Sequence, residues 1–419
     1  MAEKNVQSVR DIDLNGPEAV SDPYPMYDQL RNQDPVHWSE SDGYWFISRY
    51  TDLMSLIRDP RMSSDLFRAI AASLPEEVKE RFSALFGAVS AWMLMSDPPS
   101  HTRMRALVNK AFTPRTIDMM RSRIQALVDG MLDSVGENGR MDEWTNGRMD
   151  VMADLAALLP AIVISDMLGV PAKDHAQFKK WSDDMAEGIT GTSAVGTMSE
   201  RFVIAQKSFL ELADYFRDVV AELRGHPQDN LLSALIEAEE EGDRLTEEEL
   251  FANCVLLMFA GNETTTNLIG NGTLALLRAH EQMQMLGNDG ELIDTAVEEL
   301  LRFDSPVQKM SRLALADIEI GGKVIKTGDR VFLGYGAANR DPEQFSTPNQ
   351  LDIKRSDNRH VAFAQGIHYC LGASMARLEG QIAIGTLVKR MPEMKLASED
   401  LEYNPSTALR GLKALPVSF

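Results

Sequence analysis

One of only two cysteines, Cys370, sits in the run Phe363-Ala364-Gln365-Gly366-Ile367-His368-Tyr369-Cys370-Leu371-Gly372. Glycines bracket it, and helical apolar spacing begins directly after it. A cysteine just ahead of a helix meets unpaired backbone N–H groups and the positive end of the helix dipole. Both favour a thiolate over a thiol. Such a thiolate can ligate a metal, or act as a nucleophile with His368 two residues away. A free cysteine can equally pack as a small hydrophobe, and this run alone leaves all three readings open.

A second candidate lies inside a long helix. Thr246 and Glu249 have capping-box spacing, and helical apolar periodicity continues from there to about Ala279. At 1.5 Å per residue such a helix spans roughly 50 Å, enough to cross a domain. In its middle stands Ala260-Gly261-Asn262-Glu263-Thr264-Thr265. Adjacent threonines and a glycine suit a helix interior poorly. A breach of local rules in an otherwise strong helix is where a functional site is expected. The flanking Leu256, Leu257, Met258, Phe259 and Leu268 are too apolar for a solvent-facing kink.

Two further pairs share helical faces. Glu299 and Arg302 stand at i, i+3, with Pro306 beyond them; on its own such a pair is usually a solvated salt bridge. His101 and Arg105 stand at i, i+4 behind Asp97-Pro98-Pro99-Ser100, which reads as a stop and cap.

Taken together, these four segments resemble the cytochrome P450 family, in order and spacing, over roughly residues 97–372. The resemblance implies a mostly α fold with a small β portion, a long central helix crossing above the cofactor, and haem b bound by the thiolate of Cys370. It implies that Phe363, Gly372, Ala260 and Gly261 contact the haem. His101, Arg105, Arg312 and His368 would meet its propionates, since buried carboxylates need such partners. Gly261 would open the oxygen groove, Thr264 would hydrogen-bond within it, and Glu263 would relay protons. Glu299 and Arg302 become a structural pair packed with the region of Asn339-Arg340-Asp341-Pro342. One departure stands out: the family usually has glycine where this chain has Ala364.

The elements that position these residues fit this outline. The expectation is one domain over 1–419. Its helical body covers roughly 97–305 and 371–391, and its β-rich portion comes from roughly 30–60, 310–360 and the C-terminus. Trp45, Phe46 and Ile47 follow a turn and read as a strand. Ile318 and Ile320, the Gly321-Gly322 turn, and Val331 and Leu333 read as small antiparallel strands. Residues 188–200 read as a mobile connection between helices.

A net charge of −21 argues against nucleic acid as a partner. Two cysteines cannot form a disulfide framework, and no signal peptide or run of some eighteen apolar residues is present. The expectation is a cytoplasmic protein without a membrane anchor, acting as a monomer. The resemblance implies a monooxygenase using O2, with electrons from NAD(P)H through a ferredoxin reductase and a ferredoxin. The basic stretch Arg103, Arg105, Lys110, Arg115, Arg121 and Arg123, placed on the helix that carries His101, is a candidate dock for an acidic ferredoxin. Pocket candidates are Phe86, Met95, Val307, Met310, Thr407 and Leu409, with the 188–200 segment as a lid. They suit a hydrophobic substrate of terpenoid, steroid, polyketide or fatty acid type. Alternatives are a peroxide-driven haem-thiolate enzyme and a non-catalytic haem sensor or carrier; the Glu263-Thr264 pair argues against both. Cys254, on an apolar helix face, reads as inert core.

Overall fold

A computed structural model describes Val9 and residues 12–66, 68–69, 74–137, 147–190, 198–240 and 245–419. Helices dominate. Those that position the site are α1 (Ser100–Ala111), α2 (Pro114–Glu137), α3 (Leu159–Met167), α4 (His175–Thr190), α5 (Met198–Gly225), α6 (Glu247–Arg278), α7 (Ile293–Phe303) and α8 (Ala373–Arg390).

Helix α6 is the axis of this arrangement. Its start is fixed as the sequence suggested: the Glu249 backbone N–H donates to Thr246 Oγ1 at 3.1 Å, and the Thr246 N–H donates to Glu249 Oε2 at 2.8 Å. Buried side chains point from α6 in all directions, as a central helix requires. Helices α3, α4, α5, α7 and α8 all pack against it. Cys254 is fully buried there, as an inert core residue should be.

Five strands form the main sheet: β1 (Val36–Ser39), β2 (Tyr44–Ile47), β3 (Met62–Ser63), β4 (Lys309–Ala314) and β5 (Arg330–Gly334), in the order β1-β2-β5-β4-β3. Here the sequence reading needs correction. Val331 and Leu333 do not continue the Gly321-Gly322 hairpin. They lie in β5, which pairs antiparallel with β4 as expected of them (Met310 opposite Leu333) but on its other edge runs parallel to β2, with Trp45 opposite Val331 and Ile47 opposite Leu333. The two glycines, at φ 57° and 73°, close a separate hairpin of Ile318–Ile320 and Lys323–Ile325. A further three-stranded sheet joins Arg148–Asp150 to Lys395–Leu396 and Pro416–Ser418, so one strand lies inside the expected helical body.

Two other expectations shift. The basic stretch does not belong to one helix: Arg103, Arg105 and Lys110 are on α1, while Arg115, Arg121 and Arg123 are on α2, restarted by Pro114. Of the 188–200 segment, α4 continues to Thr190 and α5 begins at Met198; positions 191–197 lie outside the described residues. Among the described residues, no helix is long and apolar enough to cross a membrane.

Candidate active site

A cavity of about 340 Å³ opens between the middle of α6 and the loop before α8. On the loop side it is lined by Phe363, His368, Cys370 and Gly372, and on the α6 side by Ala260, Gly261, Glu263 and Thr264. His101 and Arg105 of α1 and Arg312 of β4 form part of its rim. Residues more than 250 positions apart in sequence therefore meet at one site, as the motif order implied.

The loop places Cys370 by backbone contacts. The Cys370 N–H donates to the Phe363 carbonyl at 2.9 Å, and Ala364 N–H to the Val361 carbonyl at 2.9 Å. Ala364 adopts φ 57°, in the left-handed region that glycine fills freely, and the loop keeps this turn with alanine at a cost on the order of 1 kcal/mol. Gly366 shares this geometry at φ 74°. Helix α8 starts at Ala373, with Gly372 as its cap residue.

Burial pushes the Cys370 thiol up, against the pull of the Gly372 backbone N–H and of the Arg105 and Arg377 guanidiniums. The backbone N–H at the helix start favours the thiolate as expected, and burial opposes it. A coordinated metal cation deprotonates a thiol outright, so ligation and ionisation would come together.

The rim carries the cationic and imidazole side chains. Both ring nitrogens of His101 are buried and have no hydrogen-bond partner. Its ring lies 4.2 Å from that of His368, whose Nε2 is 2.9 Å from Ser64 Oγ. Burial, and then Arg312, His101 and Arg105, push the His368 imidazole down to about 3; burial and Arg105 lower His101. Two guanidiniums and two imidazoles around one rim can receive carboxylates. These residues fit the two propionates of a haem lying between Cys370 and α6. Asp97 takes a different part from the expected cap. Pro99 is the residue before α1 and makes no side-chain cap, while the Asp97 carboxylate accepts the Ser63 hydroxyl at 2.5 Å and the Ser64 N–H at 2.9 Å.

On α6 the Thr264 hydroxyl donates to the Ala260 carbonyl at 2.8 Å, the back-bond open to a helical threonine. A side chain at Gly261 would meet Ile164 at 3.6 Å, an ordinary contact. Packing within the chain does not demand glycine there; the cavity it lines supplies the reason.

Of the pocket candidates, Met95, Val307, Met310 and Leu409 line the cavity. Phe86 does not. It packs against Phe82 and Phe202, with ring centres 6.1 and 5.5 Å away. Thr407 is also outside: its hydroxyl donates to Asn15 Oδ1 at 3.2 Å, and Ala408 and Leu409 reach the cavity instead. Sequence reasoning missed much of the apolar wall, including Trp92, Val163, Ile164, Met167 and Phe259. Apolar helical spacing in α3 was the available signal, but it cannot say which face meets a cavity.

Glu299 and Arg302 lie away from the cavity and are fully buried. Arg302 Nε and Nη2 donate to the two carboxylate oxygens, each at 2.7 Å. Arg302 Nη1 also donates to the Asn339 carbonyl at 2.8 Å, which ties in the 339–342 region. Arg355, unrecognised in the sequence, donates to Glu299 Oε2 at 3.0 Å and completes a triad.

A cysteine loop facing an acid–alcohol pair across a cavity, with a cationic rim, defines a haem-thiolate enzyme. The cytochrome P450 family model matches residues 90–401, and the chain belongs to that family, whose members are monooxygenases with haem b as cofactor. It is similar to polyketide biosynthesis cytochrome P450 PksS of Bacillus subtilis (strain 168), 39% identical over 414 residues covering 96% of this chain and 97% of that protein. Vitamin D(3) 25-hydroxylase of Pseudonocardia autotrophica is 40% identical over 402 residues, covering 94% and 93%. The crystal structure of P450BioI in complex with hexadec-9Z-enoic acid ligated acyl carrier protein superposes with a TM-score of 0.85, at 37% identity, covering 96% of this chain and 99% of that one.

Proposed function

We propose that this chain, acting as a monomeric single domain over 1–419, inserts one oxygen atom of O2 into a mainly hydrophobic molecule of terpenoid, steroid, polyketide or fatty acid type. Electrons would come from NAD(P)H through a ferredoxin reductase and a ferredoxin. The observation that carries this reading is the cavity wall: an apolar surface of Met95, Val163, Ile164, Phe259, Val307 and Met310 facing the Glu263-Thr264 pair. Relatives named for polyketide biosynthesis and vitamin D(3) hydroxylation, and a neighbour carrying a fatty acyl chain, support the same chemical range.

Cys370 would hold the iron, and His101, Arg105, Arg312 and His368 would hold the propionates. When bound, the haem supplies the reduction and cleavage of dioxygen, aided by electron donation from the thiolate. The apolar wall excludes water and orients the substrate by shape. The Thr264 hydroxyl, now donating to the Ala260 carbonyl, can turn to donate into the cavity and take its replacement proton from the side of Glu263. Glu263 would collect protons from outside and hold them one residue from that hydroxyl.

The first experiment is optical titration of the ferric protein with representatives of the four substrate types. One type is expected to shift the haem from low to high spin. A shift with none of them, together with no product in NAD(P)H-driven turnover, would turn the reading toward a haem sensor. Thr264→Ala should lower product formed per NAD(P)H roughly tenfold to a hundredfold while oxygen uptake continues and hydrogen peroxide is released. Unchanged coupling would remove Thr264 from the relay, and full activity with peroxide alone would favour the peroxide-driven alternative.

The ferredoxin dock is narrower than the sequence suggested. Arg103 pairs with Glu249, Arg123 with Asp166 at 2.8 Å, and Arg121 with Asp118 at 3.6 Å, while Arg105 lines the cavity. Lys110 and Arg115 remain as the centre of an acidic-partner site. Ferredoxin-driven turnover at limiting ferredoxin should fall severalfold as salt rises from about 0.01 to about 0.15 M, as the Debye length shortens. A salt-independent rate would exclude this dock.

A further inference from the structure

Beside the cysteine loop lies an ion cluster that the proton relay does not use. Glu298 of α7 accepts Arg377 Nε of α8 on Oε1 at 2.6 Å and Arg377 Nη2 on Oε2 at 2.9 Å. The same carboxylate receives His360 Nε2 at 3.0 Å. The Ala362 N–H points at His360 Nδ1 at 3.2 Å, which assigns the ring proton to Nε2 and makes His360 the donor to Glu298. Arg377 also donates to Tyr369 Oη at 3.2 Å and lies 4.5 Å from the centre of the Phe363 ring. One carboxylate–guanidinium pair thus grips the loop at His360 and at Tyr369, next to the residue whose carbonyl receives the Cys370 N–H. Burial pushes the Glu298 carboxyl up, but Arg377 and His360 outweigh it and bring it down to about 2, so the pair stays ionised at neutral pH.

Reducing a ferric iron adds one negative charge to the iron–thiolate unit. A nearby cation favours that step and a nearby anion opposes it. Both side chains are only partly exposed, so solvent screens them incompletely. We propose that the charges of Glu298 and Arg377 set the reduction potential of the iron held by Cys370, the carboxylate offsetting the cation that holds the loop. The proposal rests on Cys370 being the iron ligand.

Two mechanisms give different signs. If the charges act directly, removing the anion and removing the cation move the potential in opposite directions. If the pair only props the loop, either loss loosens the same segment and the two variants move together.

The test is the ferric–ferrous equilibrium of the haem-loaded protein against redox dyes at neutral pH, with the carbon monoxide difference band as a control for thiolate ligation. Glu298→Gln should shift the equilibrium roughly threefold or more toward ferrous, and Arg377→Gln by a similar factor toward ferric. The double variant, again uncharged as a pair, should return close to the parent. Arg377→Lys and Glu298→Asp, which keep the charges and lose the two-toothed contact, should stay near the parent; if a glutamine variant does not load haem, they and the other variant still carry the comparison. Shifts of the same sign, or no shift with the thiolate band intact, would overturn the proposal. Absence of that band in the parent protein would overturn it together with the assignment of Cys370.

Discussion

Cys370→Ser is expected to abolish the thiolate-type carbon monoxide band and to reduce product formation on the order of a thousandfold or to background. The reasoning starts from the loop. Phe363 to Gly372 presents a single soft ligand to the cavity, and among the described residues no cluster of three or more His, Cys, Asp or Glu could hold a metal instead. A serine would occupy the same space with a hard, weakly donating oxygen, so fold and haem pocket should persist while electron donation is lost. Haem content, the carbon monoxide spectrum and turnover separate these effects. A Cys370→Ser protein with an unchanged spectrum would sink the assignment of the ligand.

Glu299→Ala should have the largest effect on stability. Its carboxylate is fully buried between Arg302 and Arg355, and also accepts the Asp352 N–H at 3.0 Å and Asn358 Nδ2 at 3.2 Å. Removing it leaves two guanidiniums facing one another without an anion. Breaking a buried pair in this way costs about 3–5 kcal/mol, against a total of about 5–15 kcal/mol for folded proteins. The expected result is a large fall in the denaturant midpoint and little soluble haem-loaded protein. An unfolding midpoint close to the parent's would show that the triad is not what fastens α7 to the 339–358 region.

These two sites also show what a sequence can disclose. Local chemistry was legible: the Thr246–Glu249 box fixed the start of α6, the cysteine run and the 260–265 stretch stood out through spacing and broken helical rules, and the family resemblance supplied the roles of Cys370, Glu263 and Thr264. Their partners across the fold were not. Arg355 lies 56 positions beyond Glu299 in a loop with no periodicity, so nothing local marks it as the third member of the triad. The parallel pairing of β2 with β5 joins Trp45 to Val331, a contact that no alternation pattern encodes. Phe86 and Thr407 were near the right segments, but a one-residue change of direction decides whether a side chain enters a cavity. Phe86 turned into an aromatic cluster with Phe82 and Phe202, and Thr407 yielded its place to Leu409. The basic stretch ran through a helix break at Pro114; Arg103 and Arg123 pair with acids from other elements, and Arg121 with Asp118 of its own helix.

The second cysteine has a practical consequence. Cys254 is fully buried in α6, and burial pushes its thiol up to about 12, so neither access nor ionisation favours reaction with alkylating reagents. With Cys370 bound to iron, the protein presents no reactive thiol to solvent. A single cysteine introduced at an exposed position such as Val203 of α5 would then be the sole point of attachment for a fluorophore or spin label. Movements of α5, which packs against α6, could be followed in the otherwise native protein, with no background to engineer away.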